Sequence, residues 1–324
     1  MKRVVLTGAT GFVGANLTHR LLRDGHEVHL LVRHKHQAWR LDDIREACEF
    51  HEVDLANRHA LKVLLGVVQP DWVFHLAAYG AYPAQTGVDR MVATNVLGSI
   101  ALLDVCAGIG IESFVQTGSS SEYGYKSHPA TEYEALEPNS HYAITKAAAT
   151  HYCQFTARQQ NIHAVTVRLY SVYGPYEEPA RLVPTLIVYG MAGRLPPLVR
   201  PDTARDFVYV DDAVEAMIQV AKRSALPRGC VFNICTGKQN TVETIVSIVR
   251  SVLELEAQPV WATMPQRAWD TNSWVGSPAA LEQHVGWRAT TSLQAGIEKT
   301  VAWFRARPET LAFYVGQLNS GSRP

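Results

Sequence analysis

The sequence carries no surplus charge. Thirty lysines and arginines balance thirty aspartates and glutamates, and no long run has one sign. Nucleic-acid and membrane-surface binders normally show a basic excess, so neither partner is expected, although a local basic pocket is compatible with this balance. Paired cysteines are also missing. The five present (Cys48, Cys106, Cys153, Cys230 and Cys235) form no CxxC pair and no zinc spacing. An odd number scattered among apolar neighbours reads as reduced core thiols in a reducing compartment, with no bound metal. No stretch of about 18 uninterrupted apolar residues occurs, and no apolar leader precedes the opening strand at Lys2–Thr7. Internal repeats and low-complexity segments are lacking as well. These absences predict a soluble, cytoplasmic protein. With 324 residues, 47% of them apolar, the chain can bury a large core without disulfide or metal.

What is there is an alternation of two periodicities. Short apolar runs at Val4–Leu6, Val28–Val32, a segment ending near Val53, Trp72–Leu76, Phe114–Thr117 and Ala164–Leu169 read as strands. Between them, helical spacing appears at Phe12–Arg23, from Val88 to about Cys106, and over Tyr142–Arg158. Strands alternating with helices mean parallel strands joined by crossovers, a doubly wound α/β sheet. After Leu169 prolines cluster at 175, 179, 184, 196, 197 and 201, which predicts loops around a pocket. Regular structure is expected again at Phe207–Val210, Asp212–Lys222, Val231–Ile234, Val242–Leu253 and Leu293–Phe304, with a frayed tail over Gln317–Pro324. The expected division is a dinucleotide-binding Rossmann domain from residues 1–170 with 206–235, and a smaller, discontinuous substrate-binding lobe from 171–205 with 236–324.

The first turn has chemistry written into it. Gly8, Gly11 and Gly14 fall between the first strand and the first helix as G-x-x-G-x-x-G. Gly8 allows a sharp turn, Gly11 a close approach to a pyrophosphate, and Gly14 close packing of helix on strand. The helix N-terminus then offers N–H groups and partial positive charge to phosphates. The second strand ends Leu30-Leu31-Val32-Arg33-His34-Lys35-His36, without the acid that would accept from an adenosine ribose 2′-hydroxyl. Arg33 could grip a 2′-phosphate bidentately, so NADP(H) is the expected cofactor, with NAD(H) allowed. The alternative is a solvated basic loop. Asp54, after the third strand, is expected at the adenine amino group.

His141-Tyr142-Ala143-Ile144-Thr145-Lys146 contains Y-x-x-x-K, which on a helix sets both side chains on one face, Cβ atoms about 6 Å apart. A tyrosine with its ordinary pKa near 10 is a poor base at pH 7. A neighbouring ammonium and an oxidised nicotinamide would both favour phenolate and lower that value. Tyr142 could then pass the proton of a hydroxyl while hydride moves, with Lys146 also bonding the nicotinamide ribose. Ser119, just past the strand at Phe114–Thr117, lies at a carboxyl end of the sheet, where it can share the substrate oxygen.

Together, T-G-A-T-G-F-V-G (Thr7–Gly14), H-L-A-A (His75–Ala78), Asn95, G-S-S-S-E-Y-G (Gly118–Gly124), Y-A-I-T-K, V-Y-G-P (Val172–Pro175) and R-D-F-V-Y-V-D-D (Arg205–Asp212) resemble the extended short-chain dehydrogenase/reductase family. Asn233 and Gly286-Trp287 continue the likeness. The resemblance implies nucleotide-diphosphate sugar chemistry at the sugar C4, with Ser119, Tyr142 and Lys146 as catalytic triad. It places Phe12, Val13, Leu55, Leu76, Ala77, Ala78 and Asn95 with the glycines at the dinucleotide. Arg205 and Arg267 are implied at the substrate's pyrophosphate, and Tyr79, Ser120, Ser121 and Glu122 around the sugar. It also implies a homodimer through the two long helices, near residues 88–106 and 142–158.

Among activities of that family, 4,6-dehydratases carry an acid two places after the catalytic hydroxyl, sometimes as an Asp-Glu pair. Ser120 and Ser121 stand there instead, and Glu122 comes one residue late. The serine turn, and the loop Ala78-Tyr79-Gly80-Ala81-Tyr82-Pro83, are more similar to nucleotide-sugar 4-ketoreductases, such as the CDP-abequose/paratose synthases and GDP-6-deoxymannose reductases. The expected activity is therefore NADPH-dependent reduction of a nucleotide-linked 4-keto-6-deoxy sugar. A 4-epimerase, a 4,6-dehydratase and a non-enzymatic dinucleotide sensor stand as alternatives.

Overall fold

Seven strands form one parallel sheet in the order β3-β2-β1-β4-β5-β6-β9. They are β1 Arg3–Thr7, β2 Glu27–Val32, β3 Glu49–Glu52, β4 Trp72–His75, β5 Ser113–Ser119, β6 Ala164–Leu169 and β9 Val231–Ile234. The computed structural model describes residues 1–82, 84–264 and 271–320. Arg267 and Pro83 therefore lie outside the described residues. Central strands such as β1 and β4 are apolar on both faces and buried on both, as crossover helices on the two sides require.

Those helices are α1 Phe12–Arg23, α2 Arg58–Val68, α3 Val88–Met91, α4 Gly98–Ile109, α5 His141–Gln159 and α7 Val210–Lys222. One apolar cluster lies under α1 and α7, and another under α2, α4 and α5. The helix expected from Val88 to Cys106 is present but not uniform, since Val92–Leu97 between α3 and α4 is wound as a π-helix. The whole stretch Val88–Ile109 is long and apolar enough to cross a membrane by composition. In the fold, however, Ala101, Leu102, Leu103, Val105 and Cys106 are core residues.

The sequence reading missed α2, although Leu61, Leu65 and Val68 give it a buried stripe at helical spacing. The proline-rich stretch is also less irregular than expected. It holds β7 Ser171–Tyr173 and α6 Leu182–Met191, with Pro184 in the first turn of α6, where a missing N–H is harmless. β7 pairs with β8 Ala204–Tyr209, and β8 with β10 Gln239–Thr241, in a separate three-stranded sheet. With α8 Val242–Val252, α10 Leu293–Arg305 and α11 Pro308–Asn319 this sheet encloses a third core around Tyr173, Ile245, Val301, Phe304 and Tyr314. Residues 317–319, expected to fray, complete α11. Strand order reverses between β1 and β4, and a crevice opens there beyond their carboxyl ends, where open α/β sheets hold ligands.

Candidate active site

A cavity of about 1580 Å³ runs along that edge, from the ends of β2 and β3, over the glycine loop, to the three-stranded sheet. Its first wall is the turn after β1. Gly8 has φ +73°, and a Cβ there would sit 2.6 Å from the Leu76 carbonyl carbon; one on Gly14 would sit 2.2 Å from the Gly8 oxygen. Both positions therefore demand glycine. Gly11 is the N-cap of α1 and no side chain caps it, so the helix N-terminus faces the cavity. The cradle fits the pyrophosphate of a dinucleotide. Phe12, Val13, Leu55, Leu76, Ala77, Ala78 and Asp54 share this wall, and Arg33 lies at its far end.

Asn95 does not reach the cavity wall. It is buried, accepts from Tyr79 N–H at 2.8 Å, and donates to Tyr79 O at 2.8 Å and Thr145 Oγ1 at 2.9 Å. The π-helical winding brings it there, and its work is to fix the loop at Tyr79 to the helix that carries Lys146. Behind it His75 joins Thr7 Oγ1 and Ser99 Oγ, each at 2.7 Å, and burial pushes the imidazole down to about 3. It is a neutral strut.

Ser119, Tyr142 and Lys146 all line the cavity. Ser119 ends β5; its hydroxyl is bonded to Ser121 Oγ at 2.7 Å and stands beside the Tyr142 phenol. Ser140 caps α5 by accepting from Ala143 N–H at 3.1 Å, which starts the helix one residue before Tyr142. Against the expectation of a lowered value, burial and then the Glu122 carboxylate push the Tyr142 phenol up to about 12. Lys146 is pushed down to about 8 by burial, with Glu122 opposing. At Lys146 loss of water outweighs the Glu122 charge, whereas at Tyr142 the two act in the same direction.

Glu122 does not line the cavity and so is not placed to touch a sugar. It is fully buried, its Oε1 taking Ser119 N–H at 2.8 Å and its Oε2 taking Arg168 Nε at 2.9 Å. This is a capping box on the short 3₁₀ turn Ser120–Tyr123, and together with Arg168 it holds the acid inward. Ser120 and Ser121 do face the cavity, as do Tyr79 and Arg205.

Cavity residues Trp274 and Glu52, and Arg40 outside the cavity wall, are not among the residues that the sequence singles out. Trp274 donates to Ser120 Oγ at 3.0 Å and carries the Arg205 guanidinium over its ring. Buried Arg40 bonds Thr10 O at 3.2 Å, Tyr176 O at 2.7 Å and Glu178 Oε2 at 3.1 Å, tying the glycine loop to the segment after β7. No local motif announces either residue. Glu52 faces the cavity beside Arg33 and His34; the spacing back from Asp54 and the pairing of β3 with β2 could have found it.

The NAD dependent epimerase/dehydratase family model matches residues 4–235. The trifunctional UDP-glucose 4,6-dehydratase/UDP-4-keto-6-deoxy-D-glucose 3,5-epimerase/UDP-4-keto-L-rhamnose-reductase of Arabidopsis thaliana is 25% identical over 95% of this chain, which spans 48% of that protein. Thus the chain covers about half the length of these multifunctional relatives. The Thermotoga maritima UDP-glucose 4-epimerase, solved with UDP-glucose, superposes with a TM-score of 0.85 at 26% identity, covering 94% of this chain and 99% of that one. The Thermus thermophilus UDP-glucose 4-epimerase, solved with NAD, gives 0.81 at 27%, with 94% and 99% covered. The matched segment runs from β1 through β9 and takes in the glycine cradle and all three central side chains, so this chain belongs to the NAD-dependent epimerase/dehydratase family of enzymes.

Proposed function

We propose that the chain is a nucleotide-sugar enzyme that reduces a nucleotide-diphosphate 4-keto-6-deoxy sugar at C4, using NADPH. The observation that carries this reading is the serine turn. Its cavity-facing positions are hydroxyls, and its sole acid is locked into the core by Arg168. Elimination across C5 and C6 needs a carboxylic acid beside the sugar, and that turn supplies none.

The bound nicotinamide supplies hydride. The chain's own residues handle the proton. Ser119 and Tyr142 hydroxyls hold the C4 oxygen, and Tyr142 gives it a proton as the carbonyl becomes an alkoxide. A phenol held near 12 is protonated at neutral pH, the state a proton donor needs. Lys146, still mostly an ammonium at pH 7, then faces the new phenolate. Arg205 and Arg267 are assigned to the substrate pyrophosphate. Residues 1–170 with 206–235 hold the dinucleotide, and 171–205 with 236–324 hold the sugar. The enzyme acts in the cytoplasm as a homodimer, joined through the helical stretches near residues 88–106 and 142–158, on whose surfaces Leu97, Ile144 and Phe155 are more than half exposed.

Mixing the protein with a panel of nucleotide-4-keto-6-deoxy sugars and NADPH tests the direction of reaction. One NADPH should be oxidised for each sugar alcohol formed, and plain UDP- or GDP-hexoses should leave NADPH untouched. A 4-epimerase is the second reading, favoured by the Arg40 contacts that tie the glycine loop to the segment after β7, since a fixed cradle suits an enzyme that recycles a retained dinucleotide. Copurification with NAD, and interconversion of two hexoses without added NADPH, would establish it.

The cofactor choice has its own test. The Arg33 side chain makes no hydrogen bond or ion pair among the described residues, so its guanidinium is available to a phosphate. Arg33→Ala should weaken NADPH roughly ten- to a hundredfold, the weight of one charge-assisted contact, and leave NADH nearly unchanged. Equal loss for both cofactors in a fluorescence titration would remove Arg33 from the 2′-phosphate site.

A further inference from the structure

The acid missing from the end of β2 is supplied by the neighbouring strand. In the parallel pairing of β2 with β3, Glu52 stands opposite Val32, the last residue before Arg33. Adjacent strands lie about 4.8 Å apart, so a carboxylate one strand over reaches a ligand seated at the end of β2. Glu52 closes β3 at the same carboxyl edge and lines the same end of the cavity as Arg33, His34, His36 and Asp54. Its Oε1 is 2.5 Å from His34 Nδ1. That contact takes one basic group of the Arg33–His36 cluster and leaves Glu52 with a second oxygen. His36 is turned back, its Nδ1 on Arg33 O at 3.1 Å and its ring stacked on Phe50. Of the four residues 33–36, the one left to meet a phosphate from the cavity wall without a competing acid is Arg33.

We propose that Glu52 is a cofactor-selecting residue: its carboxylate accepts from the adenosine ribose 2′-hydroxyl of NAD(H) and repels the 2′-phosphate of NADP(H). The inference rests on the dinucleotide reading above and refines it. Arg33 draws the phosphate in, Glu52 opposes it, and the site admits both cofactors. A phosphate monoester carries a charge near −2 at neutral pH. Across about 6 Å of solvent-exposed space its repulsion from one carboxylate amounts to roughly tenfold in affinity.

The full-length protein, Glu52→Gln and Arg33→Ala should each be titrated with NADH and NADPH by fluorescence, at 0.05 M and 0.5 M salt. Glutamine keeps the shape and can still bond His34, and at a half-exposed strand end it leaves folding intact. Glu52→Gln is expected to tighten NADPH by about tenfold and weaken NADH by a few-fold, moving the preference opposite to Arg33→Ala. The NADPH gain should shrink at high salt, as screened repulsion must. A NADPH/NADH affinity ratio within twofold of wild type would overturn the proposal, as would an equal change for both cofactors. Failure of the unaltered protein to bind either dinucleotide would overturn it together with the cofactor reading, whereas normal binding with an unmoved ratio would overturn Glu52's role alone.

Discussion

Tyr142→Phe is expected to lower turnover by about 10²–10⁴-fold, the usual weight of a positioned acid–base group, while dinucleotide and nucleotide-sugar affinities stay close to wild type. The substitution removes one hydroxyl and leaves the ring. Ser119 would keep its bond to Ser121 Oγ, so the turn has no reason to move. What is lost is the proton that neutralises the alkoxide at C4. Burial holds the phenol near 12 and Lys146 near 8, which also fixes the sign of the pH dependence. As pH rises through about 8, Lys146 loses its proton and no longer stabilises the phenolate left behind, so turnover should fall on the alkaline side. The acidic side should be flat until another group intervenes. Lys146→Ala should remove the alkaline limb and weaken the cofactor as well. Single-turnover kinetics with a 4-keto substrate and NADPH would measure this directly. Retention of most activity in Tyr142→Phe would show that the Ser119–Tyr142–Lys146 assignment is wrong.

The fold was legible where local pattern and long-range packing agree. Phe12–Arg23 and Ala164–Leu169 fall on the predicted bounds, because glycine punctuation and apolar spacing mark their ends. Helix α6 is hidden in the sequence because it lies within the proline cluster that points to loops, although Pro184 falls in its first turn, where a missing N–H is harmless. The glycine cradle and the Y-x-x-x-K pair were legible because a turn and a helix place those side chains without help from the rest of the chain. The direction of Glu122 was not. It depends on Arg168, 46 residues on, crossing beneath the turn from β6. Nor was the rise in the Tyr142 phenol, which follows from desolvation and from the Glu122 carboxylate, neither of which a local pattern marks. Trp274 reaches the cavity, and Arg40 the back of the glycine loop, only through tertiary contacts with Ser120 and Thr10. Glu52 is an intermediate case, visible once one asks which residue stands beside the end of β2 rather than at it.

Glu122→Ala is expected to destabilise the protein by about 3–5 kcal/mol, the range for removing one partner of a buried ion pair. The Glu122 and Arg168 side chains are 0% and 3% exposed, so no solvent screens the loss. Arg168 would remain in the core, still donating from Nη1 to Tyr123 Oη at 2.8 Å, but with its charge unopposed. Tyr123 in turn donates to Asn233 Oδ1 at 2.8 Å, and Asn233 Nδ2 donates to Ala130 O at 3.0 Å. The network therefore joins the serine turn, β6, β9 and the loop at Ala130. Gly118 is part of the same arrangement, since a Cβ there would lie 2.6 Å from Glu122 Oε1. Removing the carboxylate also frees Ser119 N–H, so the turn that presents the catalytic hydroxyl should loosen. Glu122→Gln should be milder than Glu122→Ala, because the amide oxygen can accept from one of the two donors. It should still be unfavourable, because its NH₂ then faces a donor. Urea unfolding of the wild type and both variants would measure the order. A loss below about 1 kcal/mol for Glu122→Ala, well under the expected cost of an unpaired buried guanidinium, would mean that water reaches Arg168. The acid could then no longer be regarded as sealed away from the sugar, and the main argument against a dehydratase would fall with it.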